Sequence, residues 1–338
     1  MKAIERIQNM IEGKEVDRPG VSFWKHFPLV DRKVDKMIKT TIDFQLQFQS
    51  DFVKLSHNGL YSTEDWGNII KWPSRETEVG QVTEFVIKEA EDWKRLEVNK
   101  PNTGALLREV LITEGVLERF KGNVPVLSTI FSPLTTAIKL CGEETLLRHI
   151  NEEPDLLRKG LKTITETTIL FLRKLSEKGI DGIFFASQLA TFDRLTSEQY
   201  DVFGKRYDEI VLQELTGNTW FNIVHIHGKE PMIEKLEAYP VQALNWHDRI
   251  ANVTLKDARK LTDKILIGGI EENYDLENVN EHTLQSRLED AVTQVGDLSK
   301  LILGPGCVMP LTATNERFAL TKSIVNKLEG FRVPQVEA

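Results

Sequence analysis

The sequence predicts a single-domain α/β protein, a (β/α)8 TIM barrel, and three observations carry that reading. Eight short apolar runs alternate with helical stretches along 338 residues. The runs are continuous rather than alternating, which suits strands buried on both faces of a parallel sheet. Polar residues gather at the C-terminal end of nearly every run, where barrel enzymes keep their sites. A doubly wound open sheet shares the first two observations; the third favours the barrel.

Taken in order, Ile4, Ile7, Met10 and Ile11 fall at helical spacing, and Gly13 closes a helix over 1–13. Val16-Asp-Arg-Pro19 is a turn, Val21–Phe23 the first strand, and 32–50 a helix. Phe52–Ser56 is the second strand. Residues 60–100 are irregular and hold Trp66, Trp72 and Trp93; they read as an excursion with its own small hairpin. A helix over 103–121 leads to the third strand, Val124–Ile130. The helical region 134–179 breaks near Gly142 and at Glu153-Pro154. Gly182–Phe185 is the fourth strand, and Thr196 with Gln199 forms a capping box for the next helix. Phe221–His225, Ala243–Trp246, Ile265–Ile267 and Leu301–Leu303 complete the eight, with helices over 255–263 and 280–295 between them.

Composition narrows the function. A net charge of −8 speaks against non-specific binding to nucleic acid or to an anionic membrane, and no apolar run reaches the length of a membrane span. The expected partner is a small-molecule substrate. Two cysteines, Cys141 and Cys307, in a chain this long point to a reducing, cytoplasmic setting rather than a disulfide framework. There is no phosphate loop, Rossmann glycine pattern or Cys-x-x-Cys motif.

The chemistry centres on Phe221-Asn-Ile-Val-His-Ile-His-Gly228. In a strand, His225 and His227 point to the same face, side by side at its mouth. Cys307 follows the eighth strand and opens onto the same end of a barrel. Imidazole and thiolate ligands together favour zinc, with a fourth position left open. A metal site of His225, His227 and Cys307 is therefore expected. The competing reading is two histidines bonded to backbone and a small buried cysteine. His247 after the sixth strand suits acid–base work or support of a metal ligand. Of Glu271 and Glu272 after the seventh, Glu271 is the expected general base or further ligand. Lys25, His26 and His57, after the first two strands, are expected to contact an anionic substrate. Trp246 is expected to line the pocket, although strand-end aromatics often only pack. Cys141 reads as a small buried hydrophobe.

The order of motifs resembles the uroporphyrinogen decarboxylase superfamily over nearly the full length. The matching pieces are Ala3-Ile-Glu-Arg-Ile7 with Asp17-Arg-Pro19, Ser132-Pro133, Asp181-Gly-Ile-Phe-Phe-Ala-Ser187, Leu244-Asn-Trp246, Gly268-Gly-Ile-Glu271, and Leu303-Gly-Pro-Gly306 with Pro310. The resemblance implies a (β/α)8 barrel. One branch of the superfamily decarboxylates uroporphyrinogen for porphyrin biosynthesis without a cofactor. It grips the substrate's carboxylates with an arginine-rich segment after the first strand. Here that place reads Phe23-Trp-Lys-His-Phe-Pro28, without arginine, and Ser56-His57-Asn58 replaces the aspartate expected after the second strand. The other branch comprises zinc-dependent methyltransferases that work with a corrinoid (cobalamin) carried by a partner protein. Those carry His-x-Cys after the fifth strand and Cys after the eighth. His225-x-His227 and Cys307 stand at matching places, with His227 where a cysteine is usual. The expectation is a zinc methyltransferase of this kind. The alternatives are a decarboxylase of uroporphyrinogen or a smaller acid, and a non-catalytic tetrapyrrole or corrinoid binder.

Overall fold

A computed structural model describes residues 1–330. Eight strands form one all-parallel sheet: β1 Gly20–Val21, β2 Val53–Leu55, β3 Val126–Phe131, β4 Gly182–Ser187, β5 Ile223–Ile226, β6 Ala243–Asn245, β7 Ile265–Ile270 and β8 Leu301–Pro305. Their order across the sheet is β1-β8-β7-β6-β5-β4-β3-β2. The strand ladder therefore leaves β1 and β2 as its edges. The sheet is curled, and residues beside the two edges touch. The Asp51 amide donates to the Val21 carbonyl at 2.7 Å, the Val21 amide donates to the Asp51 carboxylate at 2.8 Å, and the Ser22 hydroxyl donates to the Phe52 carbonyl at 3.0 Å. The architecture is α/β and TIM-barrel-like.

Strand alternation sorts the side chains into two cores. On the concave face, residues from strands far apart in the sheet touch. Phe52 packs edge-on to Phe221, with ring centroids 5.4 Å apart, and Trp24 lies 5.5 Å from Phe184. Ile223, Ala243, Ile265, Ile267 and Ile302 join them. The convex face carries the alternate residues, such as Val224, Leu244, Leu266 and Leu303, against the surrounding helices.

The helices follow the expected breaks. Pro133–Cys141, Glu143–Glu152 and Pro154–Glu177 replace one continuous run, with Gly142 at φ 79° between the first two and Pro154 opening the third. The Thr196 hydroxyl accepts from the Gln199 amide while the Gln199 side chain accepts from the Thr196 amide, so the capping box is present. The excursion contains an antiparallel hairpin, Ile69–Lys71 with Gln81–Glu84. The seventh and eighth strands run further than expected, to Ile270 and Pro305, because Gly268, Gly269 and Gly304 continue the ladder there. No helix among the described residues is long and apolar enough to cross a membrane.

Candidate metal centre and cavity

The parallel register places the site. His225 on β5 lies opposite Asn245 on β6, which lies opposite Ile267 on β7. All three face the concave side, as does His227, two residues on. The chain leaving β6 brings His247 to the same side, and the chain leaving β8 brings Cys307. Gly306 makes that last approach possible. A Cβ there would sit 2.8 Å from the His247 Cα and 3.0 Å from a Glu272 carboxylate oxygen, so a larger residue would hold the two strand ends apart.

His227, His247 and Cys307 present ligand atoms that all lie within 4.8 Å of one another. The imidazoles of His227 and His247 are perpendicular, with centroids 4.5 Å apart. His225 stands beside this trio, its Nε2 3.7 Å from the Cys307 sulfur, and its ring stacks on Phe184. The structure thus brings together all three residues expected to bind metal and adds His247 to them.

Two neighbours fix which imidazole nitrogen faces the sulfur. The Asn245 amide nitrogen donates to the carbonyls of Ile267 and Pro305, both at 3.0 Å. Its oxygen is thereby turned towards His225 Nδ1, 2.7 Å away, so Nδ1 donates and Nε2 offers a lone pair. A Glu272 carboxylate oxygen lies 2.7 Å from His247 Nδ1 and does the same for that ring. His247 Nε2 is buried and has no hydrogen-bond partner, and it is left free for a ligand in the cluster. A carboxylate behind a histidine is the usual support of a histidine that ligates a metal. An orphaned imidazole nitrogen, a second imidazole and a thiol together fit a zinc ion.

The electrostatics agree. Burial alone would raise the Cys307 thiol, but His225, His227 and His247 outweigh it and hold the group well below its ordinary range. Burial alone would lower His247, but the nearby Cys307 sulfur and Glu272 outweigh it and raise it to about 10; a bound ion would take the place of the proton on Nε2. Burial lowers His225.

A cavity of about 150 Å3 reaches the cluster at His225 and Cys307. Its walls include Trp24, Phe131 and Phe184, with Lys54 and Lys139 among them. The residues expected to bind substrate divide. His26 lines this cavity and a second one of about 210 Å3 beside it, and burial, with Lys54 nearby, pushes it down to about 4. His57 also lines the cavity but is held from behind, Nδ1 to Glu109 at 2.6 Å and Nε2 to the Ser128 hydroxyl at 2.8 Å. Lys25 lines the second cavity, where its ammonium donates to the carbonyls of Leu311 and Ala313. Trp246 falls on the convex side, where its indole N–H donates to the Val253 carbonyl; alternation along β6 sends it away from the cavity. Glu271 is turned outwards to Arg287 at 3.4 Å, and Glu272 occupies the inward position instead. Burial pushes the Cys141 thiol up, and the group packs among apolar neighbours.

The sequence reading missed Asn245, Lys54 and Lys139. For the first two a signal exists: each is a polar residue at an inward position of an apolar strand. Lys139 lies within a helix and carries no such mark.

The family model for uroporphyrinogen decarboxylase (URO-D) matches residues 2–328. The chain belongs to the uroporphyrinogen decarboxylase family. Among solved structures it is similar to a methyltransferase from Methanosarcina mazei, with a TM-score of 0.84 and 17% identity over 97% of this chain and 99% of that one. It is also similar to a B12-independent methionine synthase from Shewanella sp. W3-18-1, with a TM-score of 0.60 and 13% identity over 93% and 95% of the two chains. At such identities the likeness concerns the fold. Among curated sequences, 121 residues are 29% identical to a pyrroline-5-carboxylate reductase from Corynebacterium melassecola; the match spans 34% of this chain and 40% of that protein.

Proposed function

We propose that this member of the URO-D family is a zinc-dependent methyltransferase whose site lies at the mouth of a closed (β/α)8 barrel. The observation that carries the reading is the cluster of His227, His247 and Cys307, with Glu272 fixing the free nitrogen of His247. Those three side chains would hold the ion, with His225 beside them and Glu271 too far turned to join without rearrangement. Bound there, zinc supplies a Lewis acid that lowers the pKa of a thiol or water it meets.

The chain's own residues prepare that chemistry. Asn245 and Glu272 hold the Nδ1 atoms of two imidazoles, which leaves both Nε2 atoms to face the cluster around Cys307. Trp24, Phe131 and Phe184 form apolar walls beside it, and low polarity strengthens the charge interactions they border. The corrinoid on a partner protein, as methyl source, rests on the family resemblance and on the fold shared with a methyltransferase.

The uroporphyrinogen alternative is disfavoured by size and charge. The cavity of about 150 Å3, even with the second of about 210 Å3 beside it, is small for an octacarboxylate macrocycle. The guanidinium forks that grip carboxylates best are absent from its walls.

The test is metal analysis of untagged protein, coupled to an assay of methyl transfer from methylcobalamin to small thiols followed by the cobalamin spectrum. The expected result is about one zinc per chain, lost in Cys307→Ser and His247→Ala, with transfer lost in parallel. Wild-type protein that folds but takes up no zinc, or variants that keep it, would overturn the reading.

A further inference from the structure

Lys54 and Lys139 stand out among the chain's lysines. Both line the cavity that reaches Cys307, one from β2 and one from the helix after β3. Lysines elsewhere that are partly buried find partners: Lys178 pairs with Glu114 and Lys235 with Asp201, each at 2.7 Å. Among the described residues, neither Lys54 nor Lys139 has a carboxylate within salt-bridge distance. The Lys54 ammonium makes one long contact, 3.4 Å to the Ser56 hydroxyl, and sits 4.7 Å from the centre of the Phe184 ring. The Lys139 ammonium sits 4.5 Å from the centre of the Phe131 ring. Burial lowers both to about 8, with Cys307 as the opposing charge that each feels.

No aspartate or glutamate lines this cavity, in a chain whose net charge is −8. The local field is therefore opposite in sign to the global one. Two ammonium groups against aromatic walls without counter-charge are costly to hold, and natural chains keep such an arrangement where a ligand completes it. Cys307 offers at most one negative charge against two ammoniums. Zinc in the proposed centre would widen the excess.

We propose that Lys54 and Lys139 form a subsite for the oxyanion of a small ligand, joined by a short apolar stem to the group that reaches Cys307. The oxyanion is a carboxylate, sulfonate or phosphate. Each ammonium supplies charge-assisted hydrogen bonds, and the rings of Phe131, Phe184 and Trp24 cover the stem. The cavity's volume, about 150 Å3, accepts a group about the size of benzene. The substrate half of this assignment rests on the methyltransferase reading; the subsite itself does not.

Calorimetric titration of the full chain, as purified, tests both halves. The probes are 3-mercaptopropanoate, its neutral analogue 3-mercaptopropanamide, propanoate, propane-1-sulfonate and inorganic phosphate. The thiol acid is expected to bind about tenfold or more tightly than the amide. Lys54→Met and Lys139→Met should each erase that preference, leave amide binding within about twofold, and leave metal content unchanged, while Lys54→Arg retains much of it. The comparison of propanoate with propanesulfonate identifies the oxyanion. Equal binding of acid and amide, or a preference that survives in both methionine variants, would overturn the subsite. Phosphate binding more tightly than either organic acid would overturn the apolar stem. Were the protein to lack zinc and methyl transfer yet bind propanoate through the two lysines, the functional reading alone would fall.

Discussion

His247 shows how much one partner decides. Its Nδ1 bonds to Glu272, so its Nε2 lone pair has a fixed aim. The Glu272→Gln variant keeps the shape but can also present an amide N–H, which would let the imidazole turn or change tautomer. Zinc affinity is expected to fall about 10- to 100-fold, measured by competition with a chromophoric chelator. An unchanged affinity would remove Glu272 from the site. Asn245 plays the matching part for His225, and its two carbonyl partners leave it one orientation.

Between elements, close approach and buried polar bonds set the geometry. Gly306 lets the end of β8 pass beside the end of β6. In Gly306→Ala the new methyl meets the His247 backbone and the Glu272 carboxylate, both short of 3.1 Å. The expected cost is about 1–3 kcal/mol, read from the urea midpoint, together with weaker metal retention. A variant with wild-type midpoint and metal content would show that the two strand ends do not need this contact.

Asp208 ties three elements together in the outer layer. Its Oδ2 accepts from the hydroxyls of Ser187 at 3.0 Å, Tyr200 at 2.8 Å and Tyr239 at 3.0 Å, while Oδ1 has no partner. Burial outweighs those bonds and raises the group to about 7. The folded chain therefore holds a proton that the unfolded chain has released above about pH 4. The stability this gives is complete below pH 4 and is lost as pH rises through 7. Asp208→Asn should lose less stability than the wild type between pH 5 and pH 8, as judged by urea midpoints at the two values. Parallel losses would contradict the assignment.

At the scale of the whole molecule, the contact between β1 and the chain entering β2 runs through Asp51. Its carboxylate accepts from the Val21 amide and is paired with Arg18 at 2.8 Å and with Arg6, all of them buried. Asp51→Ala leaves buried Arg18 without a carboxylate, and Arg6 with Asp17 alone, where the strand ladder is interrupted. The expected loss is about 3–5 kcal/mol, seen as a lower urea midpoint. An effect below about 1 kcal/mol would mean that the edges are held by packing alone.

Much of this was legible in the sequence because the strands are short, continuous and apolar, and because polar residues mark their ends. Those patterns follow from burial on two faces and from strand alternation, both of which are local properties. They fixed eight strands, the helix breaks at Gly142 and Pro154, and the shared face of His225 and His227. Alternation also contained the correct side of Trp246, since it lies one residue from Asn245, but the end of β6 had to be known to use it. What the tertiary structure decided is everything that depends on which strand ends meet. The convergence of His247 with Cys307 across β7, the inward choice of Glu272 over Glu271, and the entry of Lys139 from a helix come from the curl of the sheet and the close approach at Gly306. No local pattern encodes those distances, because they are set by contacts between residues tens of positions apart.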